Sequence, residues 1–312
     1  RKSGNFAESA PGTATRVPRM RFCRTRSMAL PLLDHIVYGP VRNLRLGASL
    51  GVNLLPPGFT VCNINCAYCQ YGWSRGRPRA GTQPIVWPAA QAVESALSAR
   101  LLRAAQAGEM LERITVGGHG EPTLHPEFEE VAARLCVVRD RLAPSLPLAI
   151  LSNSTTAVAD DVRGGLERFD ERYMKLDAGD SITCARLNGP GVAVRRVIDA
   201  LATLAPITVR AMFVKDARGE IDNTTNGVVQ EWLDALERIR AARVHISTVD
   251  RQPALSSLRP VSMRQLREIA ERVRTAGIPA DVFAPSPRRR EQAAGFPAVA
   301  DRRRQRRPNQ AV

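Results

Sequence analysis

The chain has 312 residues, 44% of them hydrophobic, and a formal net charge of +15. That length and apolar content suffice for a sizeable core, in one large α/β domain or two smaller ones, and no apolar run approaches the roughly 18 residues that a membrane span needs. Six cysteines, three of them clustered, suit a reducing compartment such as the cytoplasm and a metal centre better than a disulfide framework.

The charge is concentrated at the ends. Residues 1–27 carry seven Arg or Lys against Glu8, and residues 281–312 carry eight Arg against Asp281, Glu291 and Asp301. Only Lys2, Lys175 and Lys215 are lysines among 45 basic residues, so the arginine bias reads first as composition and solvated tails, and second as an RNA-binding arm. Residues 1–27 lack apolar periodicity and read as a disordered or non-native basic extension, compatible also with a transit peptide. Residues 28–284 form the patterned domain, and 285–312 a disordered basic tail.

The pattern opens at Met28 with MALPLLDHIVYGPV. From Leu46 to Pro57 apolar residues end in a Pro-Pro pair, which favours an extended exit from a first strand. The stretch VCNINCAYCQ follows at once, with Cys62, Cys66 and Cys69 in a CxxxCxxC spacing tight enough for one loop to wrap a small inorganic centre. Thiolates suit zinc and iron–sulfur clusters, both of which normally take four ligands. Three ligands would leave one iron of a four-iron cluster open to substrate, whereas zinc would need a distant fourth ligand. Cys136, inside an apolar helix pattern, reads as a core thiol.

Val93, Leu97, Leu101 and Leu102 recur at helical spacing after Trp87 and Pro88. A second strand, Arg113 to Val116, runs into GGHGEP, a glycine turn that lets a ligand approach the backbone. His119 and His125 are possible ligands or general acids, with a structural role favoured for His125 at its Leu-His-Pro helix start. A helix spans about Pro126 to Leu142. Leu148 to Asn153 is a third strand, followed by a helix through Phe169, with Asn153 either a cofactor contact or a turn residue.

The fourth strand, Tyr173 to Asp177, directs Tyr173, Lys175 and Asp177 inward if Met174 and Leu176 face the helices. Asp177 is then placed to accept from ribose hydroxyls. Lys175 is a candidate buried nucleophile, with an ion pair to Asp177 the favoured reading. In the fifth strand, Ile207 to Val214, Val209, Ala211 and Phe213 share one side and Thr208, Arg210 and Met212 the other. Arg210 is a candidate for binding a carboxylate or phosphate through its planar fork. A helix with Trp232, Leu233, Leu236 and Ile239 in register leads to a sixth strand, Val244 to Val249, with His245 and Ser247 inward. Ser262 to Thr275 is the last helix, capped by Gly277, and IPADVF adds a final strand. Six βα units make an α/β partial (β/α)6 barrel the expected fold, with a doubly wound parallel sheet as the alternative.

Taken in order, SLGVNLLPPGFTVCNINCAYCQYG, GGHGEPTLHPEF, LSNST, KLDAGD, RAMFVKD and STVDRQP resemble the radical S-adenosylmethionine (radical SAM) superfamily. Within it they are similar to the branch of the tRNA wyosine-base synthases and their bacterial relatives, over roughly residues 45–284. The resemblance implies the TIM-like partial barrel of that superfamily and a [4Fe-4S] cluster on Cys62, Cys66 and Cys69. It implies S-adenosylmethionine held by backbone around Gly117, Gly118, Gly120 and Glu121, with Tyr68, Asn153 and Asp177 as further cofactor contacts. Reductive cleavage of S-adenosylmethionine to a 5′-deoxyadenosyl radical, fed by a flavodoxin or ferredoxin, is the implied chemistry.

The substrate stays open between tRNA, a glycyl-radical partner protein and others. Wyosine synthases carry a second cluster on additional N-terminal cysteines and a lysine tied to pyruvate. Only Cys23 lies upstream of the motif here, and the motifs do not decide whether Lys175 or Lys215 corresponds to that lysine. Zinc-binding and structural iron–sulfur proteins are the non-enzymatic alternatives; the former predicts no iron and the latter no deoxyadenosine.

Overall fold

A computed structural model describes residues 32–43, 45–58, 60–73 and 85–283. The expected extensions at 1–27 and 285–312, and Cys23, lie outside those residues.

The chain opens with an antiparallel pair, β1 (Val37–Asn43) and β2 (Gly47–Val52). From β2 onward a parallel ladder runs through β3 (Arg113–Val116), β4 (Leu148–Ser152), β5 (Glu171–Lys175), β6 (Thr208–Asp216) and β7 (Arg243–Thr248). A short β8 (Leu258–Pro260) pairs antiparallel with the far end of β6, and β9 (Ala280–Phe283) adds parallel to β7. The strand order is β1-β2-β3-β4-β5-β6-β7-β9. It follows the chain without the reversal that marks a doubly wound sheet, and among the described residues its two ends are not paired with each other. The fold is therefore the open (β/α)6 partial barrel, with IPADVF supplying β9.

The helices between parallel strands are α1 (Ala90–Gln106), α2 (Phe128–Leu142), α3 (Asp160–Glu167), α4 (Ser181–Asn188), α5 (Val194–Thr203), α6 (Asn226–Ile239) and α7 (Met263–Thr275). Helices α1, α2, α5, α6 and α7 each bury an apolar stripe in the core that also takes up the outward-facing strand residues. On α6, Trp232 is fully buried, lies edge-on to Phe213 with ring centroids 5.1 Å apart, and donates its indole N–H to Leu176 O at 2.9 Å. That bond satisfies the one polar atom of a large apolar side chain and fastens α6 to the end of β5. The Ser262 hydroxyl accepts from Gln265 N at 3.2 Å and starts α7, as an N-cap serine does.

Sequence alone assigned no helix between Asp177 and Ile207, where α4 and α5 stand. The signals were local. The Asp180 carboxylate accepts from Thr183 N at 2.6 Å, and Gly189, at φ 91°, ends α4. The antiparallel β1 and the short β8 were also unassigned.

Strand parity holds as the two-residue period requires. Met174, Val209, Ala211 and Phe213 are buried in the main core, while Tyr173, Lys175, Arg210 and Met212 face the barrel interior.

Candidate active site

The barrel interior holds a cavity of about 660 Å³. Cys62, Cys66 and Cys69 border it from the loop after β2, and Gly117, Gly118, Gly120 and Glu121 from the loop after β3. Tyr68, Asn153, Lys175, Asp177 and Arg210 border it as well. The cysteines, the turn residues, Tyr68, Asn153, Lys175, Asp177 and Arg210 therefore meet at one place, on the strand ends where barrels of this type gather their chemistry, while His125 lies away from it.

The cysteine loop is built onto α4. Asn65 N–H donates to Asn188 O at 2.8 Å and Ala67 N–H to Leu187 O at 2.7 Å, so the loop takes up carbonyls that the last turn of the helix leaves unpaired. Cys69 N–H closes on Cys66 O at 2.9 Å, and Ala67 O accepts from Leu255 N at 2.8 Å. Two amides reach the sulfurs: Asn153 Nδ2 lies 3.6 Å from Cys62 Sγ, and Asn188 Nδ2 lies 3.6 Å from Cys66 Sγ. Such donors stabilise thiolate and tune a metal centre. Burial, with Glu121 adding to it, pushes the Cys62 thiol up to about 12, and burial pushes Cys66 up to about 11 and Cys69 upward too. A bound cation would invert that balance and take the sulfurs as thiolates. Among the described residues no three His, Cys, Asp or Glu side chains are gathered closely enough for a single ion. Three thiolates that each hold a different iron of a cluster do not have to converge on one point, so this donor set fits a cluster.

Asp177 is the hub of the opposite wall. Its side chain is 1% exposed, and Oδ2 receives the Lys175 ammonium at 2.6 Å, the Tyr68 hydroxyl, and Asn188 Nδ2 at 3.1 Å. Oδ1 accepts from Met212 N at 3.0 Å. Burial disfavours the Lys175 charge, but Asp177 and then Cys66 outweigh it and the pKa rises above the ordinary lysine range. Lys175 is thus held as a cation in the ion pair with Asp177. Tyr68, with Lys175 Nζ 5.7 Å from its ring centroid, straps the cysteine loop to β5. Cys184 and Asn188, both buried on α4, lie beneath this hub; the Cys184 thiol is 3.6 Å from Asn188 Oδ1.

The GGHGEP turn is locked from several sides. Tyr38 crosses Gly51 and donates its hydroxyl to Gly117 O at 3.1 Å. A Cβ at Gly118 would lie 2.1 Å from Asn53 Oδ1, and one at Gly120 would lie 2.0 Å from Val61 O. Glycine is therefore required there by loop-on-loop packing, independently of any ligand. The Glu121 carboxylate, buried, accepts from Thr123 N at 3.2 Å, Thr123 Oγ1 at 2.6 Å, Ser152 Oγ at 3.0 Å and Asn153 N at 2.5 Å. It latches the turn to the end of β4 and sets the position of Asn153; burial raises its pKa while those donors oppose the rise.

His119 and His125 both have their ring nitrogens engaged by backbone. His119 Nδ1 accepts from Leu33 N at 3.2 Å and Nε2 meets Pro56 O at 3.1 Å. His125 Nε2 meets Pro88 O at 2.8 Å and Nδ1 accepts from Glu127 N at 3.1 Å, and burial lowers its pKa. Cys136 is only partly buried and donates to Arg168 O at 3.3 Å, between α2 and α3.

Among proteins of known sequence, the chain is similar to UPF0026 proteins. One from Helicobacter pylori is 28% identical over 220 residues, 69% of this chain and 67% of the relative. One from Synechocystis is 28% identical over 230 residues, 70% of this chain and 77% of the relative. Among solved structures, a radical SAM methyltransferase from Sphaerobacter thermophilus matches with a TM-score of 0.55 and 16% identity, over 76% of this chain and 66% of that one. Streptococcus suis SuiB matches with a TM-score of 0.51 and 16% identity, over 75% of this chain and 49% of that one. At that identity the likeness is one of fold, and it agrees with the open barrel. Among the described residues no helix is long and apolar enough to cross a membrane. The radical SAM superfamily profile matches residues 57–217, more than half of the chain and the part that carries the cysteine loop, the glycine turn and Asp177: this protein belongs to the radical SAM superfamily.

Proposed function

We propose that this chain is a cytoplasmic radical SAM enzyme whose substrate-bearing cavity is the one bordered by Cys62, Cys66 and Cys69. The observation that carries the reading is the meeting of three clustered thiols, a backbone-presenting glycine turn and the Asp177 hub around one cavity. When bound, a reduced [4Fe-4S] cluster and S-adenosylmethionine supply a 5′-deoxyadenosyl radical that takes a hydrogen atom from the substrate.

The chain's own residues position and shield. The loop after β2 presents the three sulfurs to the cavity, and Asn153 and Asn188 donate to two of them. The turn at Gly117, Gly118 and Gly120 offers backbone groups to the amino-acid end of S-adenosylmethionine, while Glu121 keeps that turn in register with β4. Asp177 keeps one lone pair on Oδ1 for a ribose hydroxyl, since its other acceptor sites are taken. Tyr68 and Lys175 hold the loop down and limit water at the sulfurs. A flavodoxin or ferredoxin fits as electron donor, and a tRNA base or a partner protein fits as substrate.

The test is anaerobic reconstitution followed by strong reduction with S-adenosylmethionine and chromatography of the products. Wild type is expected to bind iron and form 5′-deoxyadenosine and methionine, with added bulk tRNA or cell extract raising the yield if cleavage is substrate-gated. The Cys62→Ala/Cys66→Ala/Cys69→Ala variant is expected to lose both iron and product. A full cluster with bound cofactor and no deoxyadenosine under any of these conditions overturns the enzyme reading. A full cluster retained by the triple variant overturns the ligand assignment.

A further inference from the structure

Register sets Lys175, Arg210, His245 and Asp281 side by side on β5, β6, β7 and β9. The first is neutralised by Asp177. Arg210, next along the row, borders the cavity, and among the described residues its guanidinium makes no hydrogen bond and no ion pair. Burial pulls its pKa down, with Tyr68, Asp177 and Tyr173 opposing, and a guanidinium stays charged under any such shift.

His245 follows, 7% exposed, with Nδ1 buried and unpartnered. Its Nε2 is 3.8 Å from Asp281 Oδ2, too long for a hydrogen bond. Its ring sits against Tyr173 and Phe283, with centroids 5.5 and 4.8 Å away. The Arg45 guanidinium lies 5.3 Å from the centre of that Phe283 ring. Two of the bordering acids are committed elsewhere, Glu121 to the turn and Asp177 to Lys175.

A half-buried cation with no hydrogen-bonded acid partner among the described residues is costly, and the planar fork of Arg210 matches an anionic oxygen group. We propose that Arg210, flanked by His245 and Arg45, is the recognition subsite for an anionic group of the substrate, a carboxylate or a phosphate. The word substrate here rests on the function proposed above.

The position in the sheet separates this group from the methionine carboxylate of S-adenosylmethionine. The turn after β3 lies three strands from β6 and four from β7, about 14 to 19 Å along the sheet at the usual strand spacing. An amino acid bound by its amino group at that turn carries its carboxylate one carbon away, not at β7.

The experiment titrates inorganic phosphate and benzoate, separately and at low salt, into the reconstituted full-length chain saturated with S-adenosylmethionine. At least one probe is expected to bind wild type, and which one binds distinguishes phosphate from carboxylate. Arg210→Gln is expected to weaken that probe tenfold or more and Arg210→Lys only a few-fold, because lysine keeps the charge and loses the fork. S-adenosylmethionine affinity is expected to stay within twofold in both. His245→Phe, which keeps a ring against Tyr173 and Phe283, covers the case of an Arg210→Gln chain that does not fold, and is expected to weaken the probe several-fold.

Binding of neither probe to wild type overturns the inference, as does probe binding that survives both Arg210→Gln and His245→Phe. A tenfold loss of S-adenosylmethionine affinity in Arg210→Gln, with no probe site on the loaded wild type, assigns Arg210 to the cofactor's own carboxylate and overturns it too. A wild type that forms deoxyadenosine and binds neither probe refutes this subsite alone. A wild type that forms none refutes the enzyme reading, and the same titration of the unreconstituted chain then decides the subsite.

Discussion

Asp177→Asn separates two roles that one carboxylate can play here. The substitution keeps an acceptor for Met212 N but leaves the Lys175 ammonium, whose side chain is 16% exposed, without its counter-charge. Breaking a buried pair from one side costs about 3–5 kcal/mol. At roughly 2–4 °C per kcal/mol for a body of this size, the melting temperature of the unreconstituted chain should fall by about 6–20 °C. Lys175→Met should cost less, about 1–3 kcal/mol, because Tyr68, Asn188 and Met212 N still donate to the carboxylate. The double variant Lys175→Met/Asp177→Asn should be less destabilised than the sum, since it strands no charge, with a coupling of about 1–3 kcal/mol. Thermal melting of the four chains by circular dichroism measures this. An Asp177→Asn chain that melts within about 2 °C of wild type, or strict additivity in the double variant, refutes the clamp. A loss of S-adenosylmethionine affinity without loss of stability would instead make ribose contact the main role of Asp177.

Gly120→Ala should be more damaging than Gly118→Ala, because the first collides with the Val61 carbonyl and the second with the end of the Asn53 side chain; Asn53→Ala should rescue Gly118→Ala and not Gly120→Ala, read as soluble yield and melting temperature. Asn188→Ala removes the donor to Cys66 Sγ, so reduction of the reconstituted centre should shift to more negative potential in an EPR-monitored titration, and an unchanged potential would deny that bond a role. His245 is held neutral, burial lowering its pKa from 6.5 to about 4; the unfolded chain takes up a proton first, so this contribution is complete above pH 6.5 and is lost as pH falls towards 4. The gap in melting temperature between wild type and His245→Gln should therefore change across that window, and a gap constant from pH 7 to pH 4.5 would contradict the assignment.

What could be read from the sequence was whatever local spacing determines. Two-residue alternation placed Lys175, the last residue of β5, and Asp177 just beyond it on one side of the extended chain, and from that the ion pair follows, because side chains two apart on a strand project the same way. The same alternation turned Arg210 and His245 inward. Three cysteines in one loop needed no fold to be recognised as a candidate ligand set. The histidines were less decidable, because whether an imidazole is a ligand or a brace depends on what faces its two nitrogens. Leu33 and Pro56, which brace His119, lie far upstream and leave no periodic trace.

The site contacts that escaped, beyond the unassigned α4, α5, β1 and β8, share one physical cause: they join loops through short polar side chains that bond to backbone. Asn188 ends an eight-residue helix whose hydrophobic spacing is too brief to stand out, yet its amide serves both Cys66 and Asp177, and its carbonyl anchors Asn65. Asn223 likewise bonds Val214 N, Met212 O and Asp177 O, tying the ends of β5 and β6 together under the hub. Buried backbone groups at strand ends have no ladder partner and must be satisfied by something, and asparagine, with a donor and an acceptor on one short stem, suits that task. The cavity is shaped as much by these amides as by the residues that border it. A change at Asn188 or Asn223 should therefore alter the cysteine loop and the Asp177 hub together, although only Asn188 touches a sulfur.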